Sequence, residues 1–110
     1  MVEVRFFYRG NKEISGFQIE GHSSFAKKGQ DIVCSAISVL AQTAVIGLGE
    51  YLQEGSYKYS ISDGYLKCTL QNNLTVEENQ AAQVILKTMY LGIKSIEEGY
   101  AAHVRILKEV

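Results

Sequence analysis

From Ile32 to about Gln53 the chain runs without a strong helix breaker, and no other feature constrains its fold as much. Ile37, Leu40, Ala41, Ala44, Val45 and Leu48 recur at helical spacing along this stretch. The opposite side, with Ala36, Val39 and Ile46, is also poor in charge. A helix this apolar has to be covered on more than one side. The sequence contains no proline, so long elements go uninterrupted, and Gly47 and Gly49 are tolerable inside a long helix. Asp31 stands just before the apolar run and reads as its N-cap. That assignment makes Cys34 the third helical residue, inside the first turn.

The flanking segments are patterned as strands. Val2 to Arg9 sets Val2, Val4, Phe6 and Tyr8 against Glu3, Arg5, Phe7 and Arg9, a period of two. Gly10-Asn11 is turn material, and Glu13 to Gly21 reads as the hairpin partner. On this second strand Phe17 and Ile19 share one face, while Gln18, Glu20 and His22 share the other. Tyr57 to Ser62 and Tyr65 to Gln71 form a second hairpin about Asp63-Gly64. Thr75-Val76-Glu77-Glu78 is a capping box, opening a second helix that runs to about Glu98 and stops at Gly99. Ala102 to Leu107 is a last short strand. The order β-β-α-β-β-α-β predicts a single α+β domain over residues 1–110, with a mostly antiparallel sheet covered by two long helices.

Composition narrows the function classes. An apolar fraction of 46% and a charged fraction of 21% are ordinary for a soluble globular domain. A net charge of −1 gives no global attraction to nucleic acid or to an anionic membrane, and neither is expected as a partner. No apolar run approaches the roughly 20 residues that span a bilayer. The opening Met1-Val2-Glu3-Val4-Arg5 has no basic segment followed by an apolar stretch, so a cytoplasmic setting is expected. Two cysteines in that setting read as reduced thiols. Two cysteines and two histidines without clustered spacing make no metal signature, and no cofactor is expected.

The chemistry concentrates on Cys34 and His22. A thiol in a first helical turn faces unpaired N–H groups and the positive end of the helix dipole, which favour thiolate. The same N–H groups can hold an oxyanion. The competing account is that Ile-Val-Cys-Ser-Ala-Ile is simply core, since cysteine is among the most buried residue types. His22 supplies an imidazole with a pKa near the working pH, placed at a strand end one loop away from Cys34. The residues by themselves leave catalysis and coincidence open. Cys68, within Leu66-Cys68-Leu70, reads as inert core, and His103 as a solvated edge position beside Arg105. Asp31 and Glu20 are two candidate orienters of His22, set against a capping role and a plain exposed carboxylate respectively. Ser38 lies one turn beyond Cys34 on the same helix face. The loop from Ser23 to Gln30 carries Phe25, Lys27 and Lys28, and could be a lid over bound peptide or an ordinary surface loop.

Gly21-His22, followed by Gly29-Gln30-Asp31-Ile32-Val33-Cys34-Ser35-Ala36-Ile37-Ser38, resembles the signature of the ribosomal-processing cysteine protease family, Prp. The likeness extends to the Val-Arg-Phe-Phe-Tyr opening, to Leu86-Lys87-Thr88-Met89 and to Gly92-Ile93-Lys94-Ser95-Ile96. It implies a cysteine endopeptidase with Cys34 as nucleophile and His22 as general base. The implied substrate is the N-terminal extension of the precursor of the bacterial large-subunit ribosomal protein numbered 27. Adjacent aromatic residues near the cut in that extension imply an apolar cleft. A homodimer is implied as well. Gly21, Asp31 and Ser38 match the pattern, though their roles do not transfer with it. Ser35, where alanine is more usual, and Ala101-Ala102-His103 depart from it, which further lowers His103. The alternatives are a non-catalytic module that binds the ribosome, and a thiol redox protein using Cys34 and Cys68.

Overall fold

A computed structural model describes residues 1–10, 12–21 and 30–110, without the side chains of Gln30 and Asp31. The element order is β1 (Val2–Arg9), β2 (Glu13–Glu20), α1 (Gln30–Tyr51), β3 (Tyr57–Ser62), β4 (Tyr65–Leu70), α2 (Val76–Gly99) and β5 (Val104–Glu109). The five strands form one sheet in the order β3-β4-β2-β1-β5. Pairings of β1 with β2, β2 with β4 and β3 with β4 are antiparallel, and β5 joins β1 in parallel. The predicted α+β class and order of elements are those observed.

Alternation sorts the sheet into two unlike faces. Register aligns Val2 with Val104, Val4 with Ile19, Phe6 with Phe17, Phe17 with Cys68 and Ile19 with Leu66. All of these are buried, and with α1 and α2 residues they make one core cluster. The other face carries Glu3, Arg5, Gln18, Lys67 and Arg105, where Arg5 pairs with Glu109 and Glu3. Both helices therefore cover the same face, giving a two-layer domain.

One irregularity keeps that sorting intact. Phe7 pairs with Gly16 and Tyr8 with Ile14, so Ser15 is an extra residue in β2. Without this bulge, strict alternation would turn Ile14 away from the face that buries Phe17. The pairing of β2 with β4 stops at Gly16, so β4 offers Ile14 no partner. Gln83 of α2 takes its place: its side chain accepts from the Ile14 N–H and donates to the Ile14 carbonyl, both at 2.8 Å. Two buried backbone groups are thus satisfied by one amide.

Two boundaries and one reading of apolar length differ from expectation. Helix α1 begins at Gln30, so Asp31 is inside the first turn and not its N-cap, and Cys34 is the fifth helical residue. The last strand starts two residues later than predicted, because His103 belongs to the turn before it: its N–H donates to the Tyr100 carbonyl and its carbonyl accepts from the Val2 N–H. His103 is half-buried there, not a solvated strand position. The stretch Ile32–Tyr51 is also long and apolar enough to cross a membrane, with a mean hydropathy of 1.9, contrary to expectation. The reason is that its interruptions before Glu50, namely Ser35, Ser38, Gln42 and Thr43, are polar without being charged. Ile37, Ala41 and Leu48 of this stretch lie in the core. Its outward side is not covered within one chain: Ile32, Val39 and Ile46 are 61%, 63% and 72% exposed.

The capping box of α2 is present as predicted, with Thr75 and Glu78 each accepting from the other's backbone N–H. Glu78 also accepts from the Gln53 N–H at 2.7 Å and the Ser56 hydroxyl at 3.3 Å, tying the end of α1 to the start of α2. The N–H donors, Gln53 first and then Thr75, hold the Glu78 carboxyl below its ordinary pKa.

Two predictions follow from these contacts. Gln83→Leu should destabilise the domain by about 2–4 kcal/mol, since it orphans the Ile14 N–H and C=O; chemical denaturation measures this. A carboxyl whose folded pKa is depressed stabilises above its unfolded pKa, and that contribution is lost as pH falls through the folded value. Glu78→Gln should therefore lower Tm at neutral pH, with the gap from the parent closing as the pH of the melt drops below the ordinary carboxylate range.

Candidate active site

The end of β2 is shaped by Gly21. Its φ is +96°, and a Cβ there would come within 2.6 Å of the Met1 carbonyl oxygen. Both conditions require glycine. The extended conformation stops at this residue, so the alternation that assigned His22 a face does not reach past Glu20. His22, Phe25, Lys27 and Lys28 lie outside the described residues, and so does the proposed lid.

The chain re-enters at α1, whose first residues lie at the same end of the sheet. Ser38 is beside Ile19, Ser62, Tyr65 and Leu66, around a hollow of about 40 Å³ between α1 and the β3–β4 hairpin. Glu20, the next residue of β2 after Ile19, pairs with Tyr65. Thus the β2 terminus from which His22 departs and the helix start that carries Cys34 share one end of the domain. Cys34 is 7% exposed. In a helix beginning at Gln30, the fifth residue follows the turn whose amides have no intrahelical partner. Its Cα–Cβ bond tilts back toward that turn, as every helical Cα–Cβ bond does.

Of the two candidate orienters, Glu20 is drawn away. Its carboxylate accepts from the Gln18 side chain at 2.7 Å, on the sheet face opposite the helices. Asp31 has its backbone in the first turn, where a carboxylate suits the helix dipole.

Cys68 behaves as predicted. It is buried at 1% exposure in the middle of β4, and burial pushes its thiol pKa up to about 12. Neither cysteine is in a disulfide. Among the described residues no group of histidines, cysteines and carboxylates could hold a metal ion.

The sequence reading did not find the wall beside Ser38. Tyr57, Tyr59 and Ile61 pair with Leu70, Cys68 and Leu66, so they point to the helix side of the sheet. Yet Tyr59 and Ile61 are each 54% exposed, because β3 is the edge strand and α1 covers it only in part. Tyr57 and Tyr59 stack at 6.3 Å between ring centroids. Together with Ser38 and Gln42 they leave an open, aromatic-rich shelf along the flank of α1. The signal was present in the alternation of Tyr57, Tyr59 and Ile61, but which element would fail to cover them was not.

A family model described as cysteine protease Prp matches residues 1–105. The ribosomal processing cysteine protease Prp of Bacillus subtilis (strain 168) is 27% identical over 113 aligned positions, spanning 100% of this chain and 99% of its own. Among solved structures, the ribosomal processing protease Prp from S. aureus in complex with a substrate peptide superposes with a TM-score of 0.85 at 22% identity, covering 99% of this chain and 100% of that one. The same protease with a covalently linked product peptide gives 0.80 at 23% identity and the same coverage. At these identities the structural likeness shows a shared fold.

With its pKa near 12, Cys68 should stay unalkylated in the folded protein at neutral pH and react only once the chain is denatured. Iodoacetamide labelling followed by peptide mass mapping, with and without denaturant, checks this; modification of native Cys68 would contradict its burial.

Proposed function

The chain belongs to the cysteine protease Prp family, and on that premise we propose that Cys34 is the nucleophile and His22 the general base of its peptide hydrolysis. The enzyme is a cysteine protease of the ribosomal-processing kind. The observation that carries the residue assignment is the position of Cys34 just behind the first turn of α1, at the end of the sheet from which the His22 segment leaves.

In this reading His22 takes the thiol proton and the Cys34 thiolate attacks the scissile carbonyl. The N–H groups of the first turn of α1 hold the tetrahedral oxyanion. His22 then gives its proton to the departing amine, leaving a thioester on Cys34. Water, deprotonated by His22, attacks that thioester; its collapse releases the carboxylic acid and returns the thiol. A covalently linked product peptide on the S. aureus protease is consistent with such an intermediate. No metal or cofactor enters these steps.

The substrate in this reading is the N-terminal extension of the large-subunit ribosomal protein 27 precursor. The shelf of Tyr59 and Ile61 supports it, because aromatic residues next to the cut need apolar surface. Phe25, Lys27 and Lys28 then belong to a segment that closes over bound peptide, and Ser38 to the wall beside the nucleophile. The setting is cytoplasmic, and the exposed Ile32, Val39 and Ile46 of α1 are the surface through which two copies pair.

Cys34→Ala and His22→Ala should each abolish cleavage of a peptide spanning the precursor's extension, with circular dichroism unchanged; mass analysis of the products is the readout. Cleavage retained by either variant overturns the assignment. Rapid alkylation of Cys34 at neutral pH, lost in His22→Ala, is expected alongside.

A further inference from the structure

The far end of the sheet carries a second hollow that the protease reading leaves without a role. It has a volume of about 580 Å³ and lies between α2, the start of β2 and the last residues of β5. That size falls in the range of small-molecule sites. Lys12, Lys87 and Lys108 line it together with Tyr8 and Tyr90. Ile14 and Leu91 add apolar surface, and Leu91 is mostly exposed.

The charge there is out of keeping with the rest of the molecule. The chain's net charge is −1, yet this hollow gathers three ammonium groups with no carboxylate side chain among its lining residues, the one anion on its rim being the main-chain carboxylate of Val110. Arg5, Arg9, Lys94 and Arg105 all have carboxylate partners, whereas Lys12, Lys87 and Lys108, like Lys58 and Lys67 elsewhere, have none among the described residues, and only the first three share one hollow. The nearby carboxylates are committed elsewhere: Glu13 to Arg9 and Asn79, and Glu109 to Arg5 on the opposite sheet face. Lys108 is held inward, its Nζ 4.9 Å from the Tyr90 ring centroid and 5.8 Å from that of Tyr8. Tyr90 is fixed in turn by an edge-on contact with the buried Phe6 ring, at 5.1 Å. The Tyr90 phenol first, and then Tyr8, raise the Lys108 pKa, so the ammonium keeps its charge. Lys12 has a φ of +70°, a strained value for a residue with a side chain.

We propose that this hollow binds a small organic phosphate, with Lys12, Lys87 and Lys108 around the phosphate and Ile14 and Leu91 against an apolar body. Three point charges around one hollow suit a phosphate dianion. A wholly inorganic anion would leave the apolar floor unused, and a neutral apolar molecule would leave the lysines unpaired. The site lies at the opposite end of the strands from Cys34, so the binding stands or falls independently of peptide cleavage.

Isothermal titration calorimetry with naphthyl phosphate, inorganic phosphate, naphthol and naphthoate tests it. Naphthyl phosphate should bind saturably, about tenfold or more tightly than each of the other three, and more weakly as salt is added. Lys87→Gln/Lys108→Gln should weaken it by about tenfold or more, and Lys12→Gln should weaken it measurably, while Lys58→Gln on exposed β3 should leave it within about twofold. The proposal is overturned by absence of saturable binding, by naphthol or naphthoate binding as well as the phosphate, or by an affinity that the double variant does not change.

Discussion

Everything in this domain depends on burying α1 against one face of the sheet. A helix with a mean hydropathy of 1.9 has no reason to stay in water unless a complementary apolar surface is offered. Phe17, Ile19, Leu66 and Cys68 supply that surface from β2 and β4. The connection from β2 through α1 to β3 brings the helix back across the sheet. The second crossover, from β4 through α2 to β5, does the same over β2 and β1. Because both helices use the same face, the opposite face is left to ion pairs such as Arg5 with Glu109. The position of Cys34 is a consequence: α1 is buried along one side from Val33 and Cys34 onward to Leu48, which sets Cys34 against the core.

Much of this was legible in the residues, and the exceptions have physical causes. Period-two alternation in Val2–Arg9 and the apolar spacing in α1 are local signals, and both elements appeared within a residue or two of where they were read. The capping box at Thr75 and Glu78 is written in four adjacent residues and was realised in full. What could not be read is long-range. The parallel docking of β5 on β1 joins residues about a hundred positions apart, and no local pattern distinguishes it from an antiparallel edge. The bulge at Ser15 is equally hidden, since its stabilising partner, Gln83, lies on another element. Helix α1 begins two residues before the expected Ile32, because the cap chemistry of Asp31 marks a start that the backbone does not use.

The two cysteines occupy unlike positions on one scaffold. Both are buried and both contribute to the same core, so burial alone does not discriminate between them. Cys68 is in mid-strand, where the N–H groups of β4 are taken up by β2 and β3 and nothing stabilises a thiolate. Its pKa rises accordingly, by desolvation alone. Cys34 is one turn behind the only part of α1 where backbone donors remain unspent by the helix itself. The argument for Cys34 therefore rests on where α1 begins, and a beginning at Gln30 rather than Ile32 moves the thiol behind those donors without removing it from them.

The same helix also divides its circumference among three tasks. At about 100° per residue, the core-facing positions Ile37, Ala41 and Leu48 occupy one side, and Ser38 and Gln42 border the Tyr59–Ile61 shelf on the next. Ile32, Val39 and Ile46, spaced at seven-residue intervals, form an outward stripe roughly a quarter turn further round. A surface that covered this stripe would leave the shelf open, because the two lie on adjoining rather than coincident flanks. Pairing of two copies through α1 and access of a peptide to Cys34 are therefore compatible on one helix. Burial beneath the helix accounts for Ile37, Ala41 and Leu48 in the unusual apolarity of residues 32–53, and pairing through the outward stripe, as proposed, would account for Ile32, Val39 and Ile46.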